Sequence, residues 1–259
     1  MSARTQSSIW IDEGLEVEAG EAVLESLPLS FARAGNRAAA EVVVVDGRSR
    51  RWSHELGSLA EGQVAVLVDP WVDGATPDGR PFVLDTPWGS NAACAAASDA
   101  FGAASWQRLE CRAVVAAGAD LDRALLRLVC LLRSVDVALD QLRVLAVNAG
   151  GLTAVARSGE HLVDLDLTCT DGVRSHALLR ALTDDGDVTV VIPEPATAQP
   201  AELTLTDAAG SRLLPTTWES AHRTTWRRLR ENPSLDDSVA FAKDAELVVG
   251  ALAGKESGR

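Results

Sequence analysis

Several kinds of chemistry are excluded by what the sequence lacks. It has no Tyr, and its only lysines are Lys243 and Lys255, so 22 of its 24 cations are Arg. No lysine before position 243 can therefore act as a base or form a Schiff base. No apolar run reaches the roughly 18 residues of a membrane-spanning helix, and residues 1–8 lack the apolar core of a signal peptide. We therefore predict a cytoplasmic protein that does not bind membranes.

Charge and motif content exclude further classes of function. A net charge of −13 disfavours nucleic acid, because phosphate binding needs clustered cations. No G-x-S-x-G motif marks a nucleophilic serine. The four cysteines are dispersed among apolar neighbours without C-x-x-C spacing, at Cys94, Cys111, Cys130 and Cys169. They predict buried free thiols rather than disulfides or a metal site, and we predict no metal.

The most informative stretch is 163–170, which alternates strictly between apolar and polar side chains. Its apolar positions are Val163, Leu165, Leu167 and Cys169, and its polar positions are Asp164, Asp166, Thr168 and Thr170. This period of two predicts a strand with one buried face and one polar face. Turn residues at 158–160, 184–186 and 208–210 separate it from further strand-like segments. The pattern predicts an antiparallel sheet whose polar face is solvated or faces a partner.

The first third of the sequence predicts a small parallel unit. Residues 42–45 are four valines and 64–68 are again apolar, as in strands buried on both faces. A helix predicted over 52–61 joins them in a right-handed connection. We predict a third strand over 82–85, and partly helical character over 21–34. Further helices are predicted over 120–135, 217–230 and 235–252.

This order of elements resembles the Gfo/Idh/MocA oxidoreductases. The likeness is best over residues 109–252, through the helix after Gly118-Ala119-Asp120, the segment 159–191 and the closing helix 236–252. It implies a Rossmann domain that binds NAD(P) and a second domain that binds a sugar or polyol and dimerises through its sheet. We predict α/β plus α+β architecture: a truncated Rossmann-like domain over 1–105 and a mainly antiparallel open sheet backed by helices over 106–259.

Three features of that family are missing from the sequence. It contains no G-x-G-x-x-G, and only about 40 residues precede the valine strand, too few for the usual opening half. For the family's Glu-Lys-Pro motif, 66–70 lacks the middle residue and 85–87 places Thr86 in the Lys slot. In the family's Asp-x-x-x-His motif, Asp120 matches the Asp but Ala124 takes the His position. Thr and Ala cannot accept the proton of an alcohol, so we predict no catalytic residue at these positions.

A ligand pocket is the functional hypothesis for the remaining polar residues. Its candidate members are Asp120, Arg174, His176, His222 and Arg223. The competing interpretation makes His222 and Arg223 a helix surface, with Trp218 and Trp226 in the core. Trp71 and Trp88, which each follow a Pro, are likewise either a ligand surface or part of the core, and the core is the preferred interpretation.

Three functions remain open from the sequence. The leading hypothesis is a degenerate family member without cofactor. It would act as a non-catalytic partner subunit or a binder of sugar- or polyol-type ligands, and form homo- or hetero-oligomers through its open sheet. The alternative is an active NAD(P)-dependent sugar or polyol oxidoreductase with altered cofactor contacts. The third is an interaction protein whose sheet face is only an interface.

Overall fold

The computed structural model describes residues 6–11, 15, 30–72, 79–194, 197 and 199–256 of the 259-residue chain. In these residues the strands are β1 (Ser7–Ile11), β2 (Phe31–Arg33), β3 (Val42–Asp46), β4 (Val64–Val68), β5 (Phe82–Asp85), β6 (Trp106–Val115), β7 (Gln141–Asn148), β8 (Gly151–Ser158), β9 (His161–Cys169), β10 (His176–Thr183), β11 (Asp187–Pro193), β12 (Glu202–Asp207) and β13 (Gly210–Leu213). The helices are α1 (Trp52–Gly57), α2 (Ala93–Ala103), α3 (Leu121–Ser134), α4 (Ala221–Glu231) and α5 (Ser238–Glu256), with a 3₁₀ turn at Arg37–Ala39. None of the helices in this part of the chain is both long and apolar enough to cross a lipid bilayer.

The chain forms two compact units, which divide it differently from the predicted 1–105 and 106–259. The first unit contains Met1–Thr86 and His222–Lys243, and the second contains Pro87–Ala221 and Asp244–Arg259. The difference arises because α4 and the start of α5 return to the parallel sheet. Their large apolar side chains, Trp226 and Phe241, complete its two buried faces.

The first unit contains a five-stranded sheet with the order β2-β1-β3-β4-β5, in which every neighbouring pair is parallel. The chain runs from β1 outward to β2 and then crosses back to β3, so the direction of winding changes between β1 and β3. Contrary to the expectation that too few residues precede the valine strand, β1 and β2 both lie ahead of it. Of the predicted helical segment 21–34, residues 21–29 lie outside the described part, and Phe31–Arg33 is a strand.

Apolar residues cover both faces of the parallel sheet, as the run of valines predicts. On one face, Val44, Val66 and Val83 pack against Trp226 and Leu229 of α4. On the other face, the Phe241 ring of α5 makes edge contacts with Trp52 of α1 and Phe82 of β5. Burying one such side chain stabilises the fold by about 1.5–3 kcal/mol. The helix predicted over 52–61 ends earlier, at Gly57.

The outer edge of β5 is covered by the chain just before α5. The Leu84 N–H donates to Oδ2 of Asp237 at 2.8 Å, and the Asp237 N–H donates to the Phe82 carbonyl at 2.8 Å. Arg228 of α4 donates to both Asp237 carboxylate oxygens, at 3.0 and 3.2 Å. An edge strand satisfied in this way is closed to pairing with another chain.

The second unit contains an eight-stranded sheet with the order β13-β12-β11-β10-β6-β9-β8-β7. Only β6 and β9 pair in parallel among these strands, and the other neighbours are antiparallel. Helix α3 contacts β6 and β9, while α2 contacts α3, β11 and β12. The predicted alternation of β9 is confirmed, because Val163, Leu165 and Leu167 are buried.

The opposite side of this sheet, which we call the open face, consists of the outward side chains of β6, β8, β9, β10 and β11. Ion pairs lie on it, among them Arg108–Asp164, Arg112–Glu110 and Arg180–Asp187. Beside these ion pairs, the apolar Leu178 of β10 is opposite Val191 of β11. A parallel sheet and a mainly antiparallel sheet with one open face confirm the predicted fold class.

Candidate functional site

Three aspartates lie at the carboxyl ends of neighbouring parallel strands. Asp46 ends β3, Asp85 ends β5, and Asp69 directly follows β4 between them. The register pairs Asp46 with Val68 and Val68 with Asp85, so the strand ends are level. We call this the carboxyl edge. It is the edge at which ligands bind in open parallel sheets, and its residues are therefore the candidate site.

The backbone of the carboxyl edge is tightly constrained. Asp69 is 5% exposed and has a positive φ of 49°, which is uncommon for a residue other than Gly. Its N–H donates to the Asp85 carbonyl at 2.8 Å. At Gly47 a Cβ would lie 2.5 Å from both Pro70 Cα and the Val68 carbonyl oxygen, so only Gly fits there. The turns after β3 and β4 therefore hold one another in place.

An imidazole and a buried carboxylate meet at this edge. His222 Nδ1 donates to Oδ2 of Asp85 at 2.6 Å. The Asp85 side chain is 2% exposed, whereas that of His222 is 17% exposed. Oδ1 of Asp85 is buried and has no hydrogen-bond partner among the described residues. Of the two Asp85 carboxylate oxygens, Oδ2 is therefore the one that this contact satisfies.

Helix α4 brings His222 to the carboxyl edge. It begins at Ala221, and His222, Trp226 and Leu229 recur at intervals of four and three residues, which places them on one side of the helix. Trp226 and Leu229 pack on the parallel sheet, and Trp226 contacts Phe31 of β2 with ring centroids 5.3 Å apart. The apolar stripe of α4 thus fixes where His222, the second residue of the helix, meets β5.

Arginine and tryptophan side chains lie on the loops beside the aspartates. The Arg48 guanidinium pairs with Asp46 at 2.9 Å. Arg50 lies over the ring of Trp71, with its Cζ 5.2 Å from the ring centroid. Trp71 is half-buried in the first unit, while Trp88 is buried in the second. The preferred core interpretation therefore fits Trp88, whereas Trp71 has one face against a cation.

The described residues of the carboxyl edge do not fit the pyrophosphate of a dinucleotide. A pyrophosphate site needs backbone N–H groups of a Gly-rich turn and a positive environment. Here the three strand ends carry carboxylates, and the nearby Arg48 is already bound to one of them. The residues that directly follow β1, 12–14, lie outside the described part.

The five predicted ligand residues are divided between the two units. His222 and Arg223 belong to the first, where His222 faces Asp85 and Arg223 is exposed. Asp120, Arg174 and His176 belong to the second. Asp120 caps α3 by accepting the Arg123 N–H at 2.8 Å, which explains its position without a ligand. The assignment of these five residues to a ligand site stays a prediction.

Arg174 and His176 lie where β10 begins in the second unit. His176 Nδ1 is 3.0 Å from the Arg174 carbonyl oxygen and donates to it, while the Arg174 side chain is exposed. Asp171, in the same connection, accepts the N–H of Ala117 at 2.9 Å and so links it to the loop before Asp120. The three predicted residues of the second unit, Asp120, Arg174 and His176, therefore lie at one end of the sheet.

The positions that the resemblance assigns to acid–base residues are buried and unreactive. Thr86 directly follows β5 and is 4% exposed, and Ala124 lies in the first turn of α3 and is 1% exposed. The cysteines offer no alternative, since Cys94, Cys111 and Cys130 are buried free thiols and Cys169 is half-buried. Burial raises the pKa of the Cys111 and Cys130 thiols, which keeps both protonated.

Sequence reasoning missed Asp85 as a site residue, as well as the grouping of the three aspartates. One signal was present: each follows an apolar strand segment directly, at 42–45, 64–68 and 82–84. Carboxyl ends of parallel strands share one edge, so three such aspartates are expected to converge there. The contact of Asp85 with His222 had no such signal, because 137 residues separate them.

Comparisons with known proteins identify the fold. No protein-family model matches the sequence, and no curated protein matches it. Similar solved structures include the dehydrogenase MviM from Clostridium difficile, with a TM-score of 0.67, 8% identity, and coverage of 96% of this chain and 100% of that one. The 3-ketoreductase KijD10 from Actinomadura kijaniata, solved with NADP, matches with a TM-score of 0.68 and 10% identity, and the match covers 96% of this chain and 98% of that one. The UDP-N-acetylglucosamine 3-dehydrogenase GnnA from Acidithiobacillus ferrooxidans matches with a TM-score of 0.63 and 12% identity, and the match covers 93% of this chain and 87% of that one. The chain therefore has the fold of the Gfo/Idh/MocA-type oxidoreductases, as its sequence predicts.

Proposed function

We propose that the protein binds a sugar- or polyol-type ligand at the carboxyl edge and lacks the hydride chemistry of the family. It would serve as a ligand binder or as the non-catalytic partner of an active relative. The observation that carries the proposal is the presence of Asp46, Asp69 and Asp85 at the carboxyl ends of three neighbouring parallel strands. Carboxylates accept hydrogen bonds, and a polyol offers several hydroxyl donors within a short distance.

The charge of the carboxyl edge narrows the class of ligand. Carboxylates attract ammonium groups and repel phosphates, so an uncharged polyol or an amino sugar suits this edge better than a nucleotide sugar. Trp71 adds an apolar ring face, a common surface for the C–H side of a sugar. Its position under Arg50 keeps the ring orientation defined.

Calorimetric titration tests the proposal with glucose, inositol, glucosamine, UDP-N-acetylglucosamine, NAD⁺ and NADP⁺ as probes. We expect saturable binding of at least one of the first three and no binding of either dinucleotide. Asp69→Asn is the matched variant, because Asn tolerates a positive φ and has nearly the same shape as Asp without its charge. It should weaken glucosamine binding more than glucose binding. Absence of binding by all three sugars and polyols would contradict the proposal.

A second candidate is an NAD(P)-dependent sugar or polyol oxidoreductase with altered cofactor contacts. The pairing of His222 with Asp85 favours it, since an imidazole held by a carboxylate is a common proton acceptor. The same titration separates the two candidates. Saturable binding of NAD⁺ or NADP⁺, with formation of reduced nicotinamide on adding glucose or inositol, would support the second and overturn the first.

We also propose that the open face mediates assembly, with a second copy or with a relative of the same fold. Leu178 and Val191 form an apolar patch there, with charged side chains on both sides. An apolar centre with a polar rim is the usual composition of a protein interface. Light scattering after gel filtration gives the oligomeric state, and a monomer at every concentration would count against self-assembly.

A further inference from the structure

Two arginines at one end of the outer strands of the second unit have no ion-pair partner among the described residues. Arg143 lies on β7 and Arg157 on β8, and both side chains are exposed. Arg143 is opposite Val155 of β8, which is in turn opposite Asp164 of β9 on the open face. Arg157 is two residues from Val155 and shares its face, so both arginines project from the open face, which β7 continues. We call Arg143 and Arg157 the basic corner.

A hollow lies at the other end of the same strands. Its volume is about 420 Å³, and the polar residues that line it are Arg112, Asn148, Thr153, Asp166 and Thr168. The space exists because Gly151 lies between Thr168 and Asn148 in the register and carries no side chain. A Cβ at Gly151 would lie 1.9 Å from the Leu167 carbonyl oxygen, so no larger residue fits. The backbone of the sheet therefore keeps this hollow in the open face.

The hollow contains hydrogen-bonding groups that its own surroundings leave unsatisfied. Asp166 accepts the Thr153 hydroxyl at Oδ1, at 2.9 Å, and its Oδ2 has no partner in the part of the chain that the structure describes. The Thr168 hydroxyl is exposed and has no partner there either. Arg112 at the border is already paired with Glu110, at 3.2 Å. A recessed carboxylate with an open oxygen suits a guanidinium, which donates several hydrogen bonds from one plane.

The basic corner cannot reach the hollow of its own chain. Arg157 is opposite Leu162, and Asp166 lies four residues further along β9, roughly 13 Å away along the strand. A two-fold axis that runs across the strands, between two facing sheets, reverses the strand direction and lays each strand against its own copy. The basic corner of one copy then faces the hollow of the other, and the contact occurs twice.

We propose that a second copy of this chain docks on the open face with its Arg157 in the hollow, beside Asp166 and Thr168. The inference rests on the proposed assembly through the open face, and it adds the partner and the contact that orients it. Each copy carries a net charge of −13, so the copies repel one another at long range, and the docking contact requires opposite charges locally. The unpaired Arg157 and the open oxygen of Asp166 supply them.

The same axis fits the rest of the open face. It lays β10 and β11 against their own copies, which keeps the patch of Leu178 and Val191 inside the interface. It also brings Asp164 of one copy towards Asp166 of the other. Arg108, which pairs with Asp164, and the incoming Arg157 offset that repulsion.

Charge reversal tests the contact with two variants that are defective alone and complementary when mixed. R157E sets a Glu against Asp166 of the second copy, and D166R sets an Arg against Arg157. Because the contact occurs twice, we expect each variant alone to weaken the dimer Kd on the order of a hundredfold. A heterodimer of the two variants has one reversed pair and one native pair, both of opposite charge. Light scattering should therefore show dimers again in an equimolar mixture.

Two further variants control for charge and for folding. R212E carries the same charge change on β13, where Arg212 is exposed and lies opposite Leu205, on the side of the sheet away from the open face. We expect its dimer Kd to match the wild type. D166N keeps an acceptor for the Thr153 hydroxyl, so it tests the carboxylate if D166R does not fold. It should weaken the dimer Kd about tenfold without a change in thermal unfolding.

The outcomes separate the inference from the assembly on which it rests. A wild type that is monomeric at every concentration overturns both. A wild-type dimer whose Kd is unchanged in R157E and D166N overturns the inference alone, while the open face stays the proposed interface. If folded R157E and D166R do not form dimers when mixed, Arg157 does not meet Asp166, and the proposed two-fold orientation is wrong.

Discussion

Buried carboxylates in the two units are stabilised by different partners. Asp85 in the first unit accepts from an imidazole, while Asp244 in the second pairs with the guanidinium of Arg133. Burial raises the pKa of Asp244, although Arg133 and Cys130 act in the opposite direction. The net direction shows that desolvation outweighs pairing at this site. Asp187 on the open face is the contrasting case: burial opposes ionisation, but Arg180 and Thr189 lower its pKa.

These two directions predict opposite dependences of stability on pH. A folded-state pKa above the unfolded value means that folding takes up a proton, so Asp244 contributes stability at low pH that is lost as pH rises through its raised pKa. Asp187, with a lowered pKa, contributes stability that is lost as pH falls. We expect urea unfolding across a pH series to show this difference in the free energy of unfolding. In D244N the free energy of unfolding should no longer fall as pH rises through the raised pKa of Asp244. In D187N it should no longer show the part of the fall at low pH that Asp187 causes. The same curve for both variants would contradict this assignment.

At this scale the sequence predicted individual residues but not their partners. The sequence marks His222 through its position in a predicted helix with Trp218 and Trp226. Of these, Trp226 is buried and Trp218 is 75% exposed. What gives His222 its defined environment is Asp85, which is 137 positions away. Contacts between residues so far apart in the chain depend on how strands and helices pack together, and local residue patterns do not predict that packing.

Among the elements, β5 depends most on residues distant in sequence. It is the outer strand of the parallel sheet, and Asp237 satisfies the Leu84 N–H on its outward side. Arg228 of α4 holds that carboxylate in place. One aspartate thus joins the strand, the helix and the segment before α5.

Replacing Asp237 should weaken the first unit and expose its edge strand. D237A leaves the Leu84 N–H without its acceptor, and we expect a loss of about 1–3 kcal/mol in the free energy of unfolding. D237N is the matched control, because it keeps an acceptor oxygen and should lose less. Urea unfolding gives both values, and light scattering should show faster aggregation of D237A alone. Equal stability of D237A and the wild type would contradict this role for the edge contact.

Element type followed from local patterns where periodicity was strong. Alternation in β9 predicted its buried face, and the valine run predicted a strand buried on both sides. The strand β2 has only three residues, too few to show a period, and its pairing with β1 depends on residues elsewhere. Likewise, α1 ends at Gly57 although the sequence favours continuing to residue 61.

For the molecule as a whole, the open face gives the clearest prediction. L178E and V191E each place a charge among apolar side chains of two paired strands. Burying that charge in an interface should cost about 3 kcal/mol, on the order of a hundredfold in the dimer Kd. Gel filtration with light scattering should show dissociation. V239E is the control, since Val239 is 65% exposed in α5 and lies outside the open face. Assembly that survives both open-face variants would contradict the proposed interface.

The two-sheet organisation was predictable, but the boundary of the units was not. The change from long apolar runs to alternating strands marks two kinds of sheet near residue 105. It does not indicate that residues 222–243 return to the first unit. Helices with an apolar stripe can cover either sheet, and the choice depends on shape complementarity between side chains far apart in the chain.

The discontinuity of the first unit affects how the protein emerges from the ribosome. Strands β1 to β5 are synthesised first, yet α4 and Asp237, which cover one face and the outer edge, follow only after residues 87–221. At roughly 5–20 residues per second, the nascent parallel sheet waits on the order of ten seconds for them. During that interval the outer edge of β5 has unpaired backbone groups that can pair with another chain, so we expect a chaperone to shield it.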